Sequence, residues 1–464
     1  MTDFKDKSVL VLGLGETGIS IVRWLAGQGA VLRVADSRDA PPGLDEVSKY
    51  VAQERIHCGE FCDALFDSVE LIAISPGVPL SEPHVARAAA RGIQIVGDIE
   101  LFARHIGNSR SDIYDPRVIA ITGSNGKTTV TSMVEHMCKA AGKDAVAAGN
   151  ISPAVLDDVM QRNGNQPDVW VLELSSFQLE TTSSLNADAA TVLNVSEDHL
   201  DRYDGMDGYA AAKQRIFQGG GVQVINRDDA RCRNMRIENR NSICFGLNLP
   251  EREQDFGIAR VGMDVWLMQG SVRLMKASEL KVAGLHNVAN ALAALALCRA
   301  IDLPMPALIG ALKSFKGLPH RVELVGTLHD IAFYDDSKGT NVGATVAALE
   351  GLGCRAVLIA GGIGKDQDFS PLKPAVAKHA RAIVLIGRDA PLIESAIDGC
   401  QVPVSHAADM QDAVLKSAAL AKPGDAVLLS PACASFDMFR NYAHRAEVFV
   451  AEVKKLAEEG SWPH

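Results

Sequence analysis

Short aliphatic runs alternate with helix-length segments of mixed polarity along most of this chain. The runs have five to seven residues and are rich in Val, Ile, Leu and Ala, which is the composition of buried strands. The ten clearest runs are SVLVLG, VLRVAD, LIAIS, VIAITG, VWVLEL, AATVLNV, VQVIN, AVLIAGG, AIVLIG and AVLLS. Strands that are apolar on both faces and separated by helices predict parallel sheets covered by helices.

Two interruptions divide this alternation into three α/β units. The polar stretch GNSRSDIYDPR at 107–117 predicts a linker, and a helical pattern ends in Gly and Pro at 316–320. Within the middle unit, residues 240–283 lose the alternation and predict a small antiparallel insertion. The predicted domains are 1–108, 109–317 and 318–464.

Composition and charge narrow the class of protein. The chain has 464 residues and a net charge of 46 − 57 = −11, which argues against a general nucleic-acid surface. Nine cysteines, an odd number, predict buried thiols in a reducing cytosol, and the close pair Cys58 and Cys62 lacks the second pair of a zinc site. The N-terminal apolar run and ALAALALC at 291–298 are too short for a membrane span, so we expect neither a signal peptide nor membrane insertion.

A first glycine loop follows the first predicted strand. Gly13, Gly15 and Gly18 form G-x-G-x-x-G, and Asp36 ends the next strand, as in dinucleotide-binding folds. Glycine allows a backbone to approach a diphosphate at the start of a helix. A tight turn without a ligand is the alternative, and Glu16 would repel a diphosphate unless its carboxylate points elsewhere.

A second glycine loop lies in VIAITGSNGKTTVT at 118–131. The strict phosphate-loop pattern requires glycine where this chain has Ile121, so the match is the shorter G-x-x-G-K-T. Lys127 would contact the β- and γ-phosphates of a nucleotide, and Thr128 would offer a hydroxyl to Mg²⁺. The alternative is a capped helix with a lysine in its first turn. Two such loops predict an ATP-consuming enzyme that acts on a nucleotide-bearing substrate.

Three polar residues follow at positions where chemistry is expected. Glu173 ends a buried strand, where a carboxylate needs a cation such as Mg²⁺, although a strand edge reaching solvent is the alternative. His199 lies in a polar loop after the next strand, as a metal ligand or a solvated side chain. Lys213 lies four residues after Tyr209 on a predicted helix and, by itself, would be a surface lysine.

Seven motifs are spread over nearly the whole chain: TGSNGKTT, ELSSFQLE, EDHLDRY, LHNVAN, GLPHR, DDSKGTN and SPACASFDMF. Together they resemble the motifs of the Mur ligase family of ATP-dependent, amide-forming enzymes. The resemblance implies an α/β fold of three domains: a Rossmann-like N-terminal unit for the UDP group, a central phosphate-loop ATPase-type parallel sheet, and a C-terminal Rossmann-like unit for the incoming amino acid. It also implies an enzyme of cytoplasmic peptidoglycan precursor synthesis.

The resemblance assigns roles residue by residue. It implies catalytic roles for Lys127, His199 and Lys213. The ATP contacts it implies are Gly123, Ser124, Asn125, Gly126, Lys127, Thr128, Thr129, Asn287, Asn290, Arg321 and Asp336. The UDP-substrate contacts are Gly15, Thr17, Asp36, Ser37, Arg38, Gly77 and Asn150. The contacts for the amino acid are Lys338, Thr340, Lys365, Ser435 and Tyr442. The metal ligands are Thr128, Glu173, His199 and Lys213, the last through a carbamate on its amine.

The implied reaction joins D-glutamate to UDP-N-acetylmuramoyl-L-alanine, with ATP and two Mg²⁺ ions, through an acyl phosphate. The general base for the amine stays unassigned, and we expect a monomer. Departures from the family pattern are Glu16, Gly339 and Tyr442, where an apolar residue, alanine and phenylalanine are more familiar.

Three other functions fit parts of the sequence. An NAD-dependent oxidoreductase would use the first glycine loop but leaves the second without a task. A phosphate-loop switch or regulatory ATPase leaves the motifs beyond residue 280 idle. A folate polyglutamate ligase would lack the UDP-binding unit.

Overall fold

The computed structural model of the protein describes residues 4–109, 115–282 and 284–459. Its contacts divide the chain into two compact units. The first comprises residues up to Leu193 together with Ala210–Phe245 and Ala293–Ala311. The second comprises Asn194–Tyr209, Gly246–Leu292 and the chain from Leu312 onward. No helix in the described ranges is both long and apolar enough to cross a membrane.

The N-terminal sheet has five parallel strands in the order β3-β2-β1-β4-β5. Its strands are β1 Ser8–Leu12, β2 Val31–Asp36, β3 Ile56–Cys58, β4 Leu71–Ile74 and β5 Gln94–Val96. Its helices are α1 Glu16–Gly27, α2 Leu44–Val47, α3 Pro83–Ala90 and α4 Asp98–Ser109. The strand order matches five strands of the Rossmann order 3-2-1-4-5-6, which confirms the predicted Rossmann-like unit.

The middle of the chain forms six parallel strands in the order β11-β10-β9-β6-β8-β7. They are β6 Arg117–Thr122, β7 Ala145–Gly149, β8 Val169–Glu173, β9 Ala189–Val192, β10 Val222–Asn226 and β11 Ser242–Phe245. The helices are α5 Lys127–Ala140, α6 Val155–Gln161, α7 Ser176–Glu180, α8 Gly205–Gln214, α9 Ala230–Asn234, α10 Leu285–Ala300 and α11 Met305–Ser314. Residues 291–298 of α10 are fully buried, so this helix is apolar because it lies in a core.

The predicted antiparallel insertion is present, although it begins later than expected. Strands β12 Phe256–Val261, β13 Asp264–Gln269 and β14 Val272–Lys276 pair antiparallel. Strand β11 instead pairs parallel with β10, so the parallel alternation continues to Phe245. The predicted linker at 107–117 is shorter than expected, because α4 runs to Ser109 and β6 starts at Arg117. Its residues 110–114 lie outside the described residues.

The C-terminal sheet has six strands in the order β15-β16-β20-β17-β18-β19, parallel except for β15. The strands are β15 Glu323–Leu328, β16 Ile331–Asp335, β17 Ala356–Gly361, β18 Ala380–Ile386, β19 Val404–His406 and β20 Ala426–Leu429. The helices are α12 Val342–Gly351, α13 Leu372–His379, α14 Ala390–Ala396, α15 Met410–Leu420 and α16 Tyr442–Glu459. An apolar cluster covers each face of this sheet.

Candidate active site

Each of the three glycines in the first loop is required, or left open, for a different physical reason. Gly13 has a φ of +88°, and its carbonyl accepts a hydrogen bond from the Ser75 hydroxyl at 3.0 Å. A Cβ on Gly18 would lie 1.8 Å from the Gly13 carbonyl oxygen, so helix and loop can approach only through glycine. A Cβ on Gly15 would meet nothing within 4 Å. The space beside Gly15, before the first turn of α1, is therefore open to an anionic ligand.

Asp36 holds the first loop in place from inside the domain. Its buried carboxylate accepts hydrogen bonds from the Leu14 amide at 2.6 Å and from the amide, Nε and Nη2 of Arg38 at 2.7–2.9 Å. Burial acts to raise the pKa of Asp36, but the bonds from Arg38 and Leu14 lower it to about 2. Four bonds thus engage both carboxylate oxygens and connect the end of β2 to the first glycine loop.

The carboxylate of Glu16, which would repel a diphosphate if it pointed at one, is bonded to a neighbouring loop. Its carboxylate accepts a hydrogen bond from the Ser152 hydroxyl at 2.6 Å, in the loop that follows β7. Asn150 lies in the same loop, and its amide donates to the Glu173 carbonyl at 2.7 Å. The acidic side chain is thus engaged by the loop that carries a predicted substrate contact.

The second glycine loop is short because β6 continues through Thr122. Ile121 is a buried strand residue in register with Glu173, so the missing glycine of the strict pattern lies in the sheet. The loop covers only Gly123 to Gly126, and α5 begins at Lys127. The Lys127 ammonium donates to the carbonyls of Gly123 at 2.8 Å and Ser124 at 3.0 Å. The cation therefore lies over the loop that is predicted to hold nucleotide phosphates.

Glu173 and Lys213 lie beside this loop in the first unit. Glu173 is 3% exposed and ends β8, which lies between β6 and β7. Lys213 is only 1% exposed, and its amine donates to the Gly123 carbonyl at 2.9 Å. The interpretation of Lys213 as a surface lysine is therefore wrong. Tyr209 and Ala212 on the same helix are buried as well. Two lysines thus share one carbonyl of the loop.

A second group of predicted residues lies in the second unit. Asn290 donates to the Asn287 side chain at 3.2 Å within the first turns of α10, so the two amides pair with each other. Asp336 is buried and accepts a hydrogen bond from the Ser430 hydroxyl at 2.7 Å. Burial raises the pKa of Asp336 to about 7, although the Ser430 bond and the charge of Arg321 act to lower it. A Cβ on Gly339 would lie 2.6 Å from the Asp336 carboxylate, so alanine there would require this site to rearrange.

We expect the substitution Asp336→Asn to stabilise the ligand-free protein in a pH-dependent way. The pKa of Asp336 rises from 3.8 when unfolded to about 7 when folded, so the folded state loses stability as pH rises between these values. Each unit of pKa difference between the folded and unfolded states corresponds to about 1.4 kcal/mol of stability. The neutral amide avoids this cost, so its gain in Tm should be absent near pH 4 and largest above pH 7, as thermal denaturation would measure. Asp330→Asn, at an exposed turn residue, is the control, and a pH-independent gain would contradict the expectation.

The residues predicted to meet the amino acid all lie in the second unit. The Lys338 ammonium lies 3.7 Å from the centroid of the Tyr442 ring, a cation–π contact. Ser435 is buried, and its carbonyl accepts bonds from the amides of Met438 and Phe439. Lys365 has a φ of +54° and its ammonium lies 3.5 Å from Asp198. The structure thus brings Lys338 and Tyr442 into direct contact.

Arg445 is a residue that the sequence interpretation missed. Its guanidinium is 1% exposed and donates to the Ser337 hydroxyl at 3.0 Å, the Ser337 carbonyl at 2.8 Å and the Cys433 carbonyl at 3.1 Å. Burial lowers the pKa of Arg445 to about 10. The Ser337 hydroxyl in turn donates to the Tyr442 carbonyl at 2.8 Å. One buried cation therefore ties together the segments that carry Lys338, Ser435 and Tyr442.

Comparisons with known protein families agree with this arrangement of sheets and loops. Three family models match consecutive parts of the chain: the Mur ligase MurD-like N-terminal domain at 7–97, the Mur ligase middle domain at 121–298 and the Mur ligase glutamate ligase domain at 320–433. Relatives that share more than half of its residues align over nearly its full length. The chain belongs to the Mur ligase family. The oxidoreductase interpretation gains no support, because its glycine loop lies inside the MurD-like match.

The relatives are ligases for one particular step. The "UDP-N-acetylmuramoylalanine--D-glutamate ligase" of Nitrosospira multiformis is 57% identical over 458 residues, 98% of this chain and 96% of its own. The enzyme of that name from Methylobacillus flagellatus is 56% identical, over 99% of each chain. Among solved structures, the ligase MurF of Thermotoga maritima in complex with ADP has a TM-score of 0.59 at 16% identity, over 99% of this chain and 97% of its own. The alanine ligase MurC of Thermotoga maritima has a TM-score of 0.59 at 17% identity, over 97% and 99%. At these identities, the two structures support the fold alone.

Proposed function

We propose that the protein is the ATP-dependent ligase that joins D-glutamate to UDP-N-acetylmuramoyl-L-alanine and releases ADP and phosphate in the cytoplasm. The observation that carries the proposal is the full-length similarity to ligases of that name. The geometry supports it, since each of the first two sheets has a glycine loop at the carboxyl end of its strands. Peptidoglycan precursor synthesis for the cell wall is the corresponding process.

The reaction needs an activated carboxylate because amide formation in water is unfavourable. The alanyl carboxylate oxygen attacks the γ-phosphorus, ADP leaves, and the D-glutamate nitrogen then attacks the acyl carbon and expels phosphate. Lys127 lies at the loop where it would offset the charge of the phosphoryl oxygens. Lys338 and Lys365 would pair with the two carboxylates of the amino acid. The base that removes the proton from the ammonium group stays unassigned.

The hydroxyl of Thr128 and the buried carboxylate of Glu173 fit magnesium, which prefers oxygen ligands. We propose that Thr128, the buried carboxylate of Glu173, His199 and Lys213 hold two Mg²⁺ ions. When bound, magnesium would neutralise charge on the phosphates and on the attacking carboxylate. Glu173 supplies the hard anionic ligand of the set.

Phosphate release tests the proposed function directly. The purified protein should release phosphate from ATP only when both UDP-N-acetylmuramoyl-L-alanine and D-glutamate are present, and mass spectrometry should detect the amide product. L-Glutamate in place of D-glutamate is the matched control. Phosphate release without either co-substrate would favour a regulatory ATPase, and consumption of a folate substrate would favour the polyglutamate ligase.

We propose that Lys213 carries a carbamate that completes the second magnesium site. The Lys213 ammonium first loses a proton, and the neutral amine then adds to CO₂ and releases a second proton, which converts a cation into an anionic oxygen ligand. Removing dissolved CO₂ should therefore lower kcat several-fold, and ¹³C-bicarbonate should restore it and give a carbamate signal by NMR. Lys213→Ala should lose both the signal and the response. A wild-type protein with full activity in CO₂-free buffer and no signal would show that the amine acts unmodified.

A further inference from the structure

We propose that Asp198 is a positioning residue that orients Lys365 for the incoming amino acid and ties that lysine to the segment bearing His199. The inference rests on the proposed function, because it assigns Lys365 to the amino-acid substrate. It adds to that function a carboxylate and an amide, Asp198 and Asn341, that the motif analysis did not place in the site.

Asp198 contacts three groups with different tasks. One carboxylate oxygen accepts from the His199 amide at 3.1 Å and lies 3.5 Å from the Lys365 ammonium. The other accepts from the Asn341 side-chain amide at 3.5 Å and lies 3.7 Å from the His199 ring nitrogen Nε2. A single carboxylate thus bridges a predicted metal ligand and a predicted amino-acid contact.

The burial of these groups makes the carboxylate effective. The side chain of Asp198 is 13% exposed and that of Lys365 is 27% exposed, so water screens the pair less than it screens an exposed ion pair. A lysine has a long, flexible stem, and an ion pair selects among its rotamers. The ammonium therefore keeps one direction before the substrate carboxylate arrives.

Two further bonds fix the segments around the pair. Asn341 is buried and caps α12, since its side-chain oxygen accepts from the Ala344 amide at 2.9 Å while its nitrogen faces Asp198. The neighbouring Glu197 accepts from the Asp368 amide at 3.2 Å, which holds the loop that carries Lys365. Thr340, another predicted amino-acid contact, directly precedes the capping residue. The position of the amino-acid site is thus set by the acidic residues beside His199.

A different role for Asp198 would give a different result. If Asp198 served only to orient His199 toward a metal, its loss would change the magnesium requirement and leave the affinity for D-glutamate unaltered. If it served only stability, kcat and every KM would change little once the protein is folded. The test therefore measures the KM for D-glutamate, the KM for the UDP substrate and the Mg²⁺ concentration for half-maximal rate.

The variant Asp198→Asn keeps the shape of the side chain and removes its charge. We expect the KM for D-glutamate to rise about tenfold, with the other two constants within about twofold of the wild type. Asp204→Asn, an exposed aspartate in the same segment, is the matched control and should leave all three constants unchanged. Thermal denaturation of each variant shows that the compared proteins are folded.

The double variant tests whether Asp198 acts through Lys365. Lys365→Met alone should raise the KM for D-glutamate, and adding Asp198→Asn should raise it by no more than about another twofold, because the two changes remove one interaction. Additive effects of the two substitutions on the KM for D-glutamate would overturn the inference but not the proposed function. An altered magnesium requirement with an unchanged KM for D-glutamate would do the same. A wild-type protein that does not ligate D-glutamate would overturn both the inference and the proposed function.

Discussion

Replacing Lys127 with alanine is expected to lower kcat roughly 10³-fold, the scale of losing a preorganised group that stabilises charge in the transition state. The Lys127 ammonium lies over the phosphate loop, bonded to the carbonyls of Gly123 and Ser124. Alanine cannot supply a positive charge to the transferring phosphoryl group. Affinity for the UDP substrate should stay measurable, because its predicted contacts belong to the first glycine loop and to other residues. Steady-state kinetics and calorimetric titration of the UDP substrate measure the two effects.

The matched control for this lysine lies on the same helix. Lys139 is exposed at the end of α5, where its ammonium pairs with Glu135 at 2.8 Å. Lys139→Ala removes the same charge about three turns away and should keep kcat within about twofold. If Lys127→Ala retained more than a tenth of the wild-type rate, the proposed nucleotide site would be in the wrong place.

Replacing Glu173 with glutamine is expected to lower kcat at ordinary magnesium concentrations by about 10²-fold or more, since a neutral amide is a weaker ligand for a hard cation. Glu173 is buried at the end of β8, beside the loop that precedes Lys127. Part of the loss in kcat should be recovered at high Mg²⁺. The variant's remaining ligands bind the ion more weakly than the wild-type set, and a higher concentration fills the weaker site. A magnesium titration of the rate in wild type and variant separates weaker binding from slower chemistry.

The control for the charge is Glu238→Gln, at an exposed position of the same unit. It should reproduce the wild-type magnesium titration. If Glu173→Gln lowered the rate equally at every Mg²⁺ concentration, with an unchanged half-saturation point, Glu173 would act on the substrates and not through the metal. A glutamine at this buried position needs hydrogen-bond partners for its amide and could destabilise the fold. Thermal denaturation of the metal-free proteins therefore distinguishes either result from misfolding.

Most of the fold could be predicted from the order of apolar runs. All ten runs form strands, because an apolar segment of that length between helices has few other ways to bury itself. Several of the strands outside the ten runs have weak local signals. Strand β7 is AVAAG, whose small residues have low strand preference, and β3, β5 and β19 have three residues each. These strands exist because neighbours offer them hydrogen bonds, which local composition does not record.

The two glycine loops were predictable for a local reason. A strand, a glycine turn and a helix in succession place backbone amides at the helix start whatever surrounds them. The shortened second pattern also has a local cause, since Ile121 belongs to the strand. The roles of Lys338, Tyr442 and Asn287 came from resemblance, and their contacts with one another or with neighbours appear only in the fold.

By itself, the sequence determined the α/β class and the positions of both loops, since these depend on local periodicity. Only the tertiary structure decided which polar side chains are buried and what they meet. Lys213 meets the second glycine loop from 90 residues away, Arg445 meets Ser337 from 108, and Asp198 meets Asn341 from 143. Burial and pairing arise from chain segments brought together by packing, and spacing along the chain carries no record of those distances.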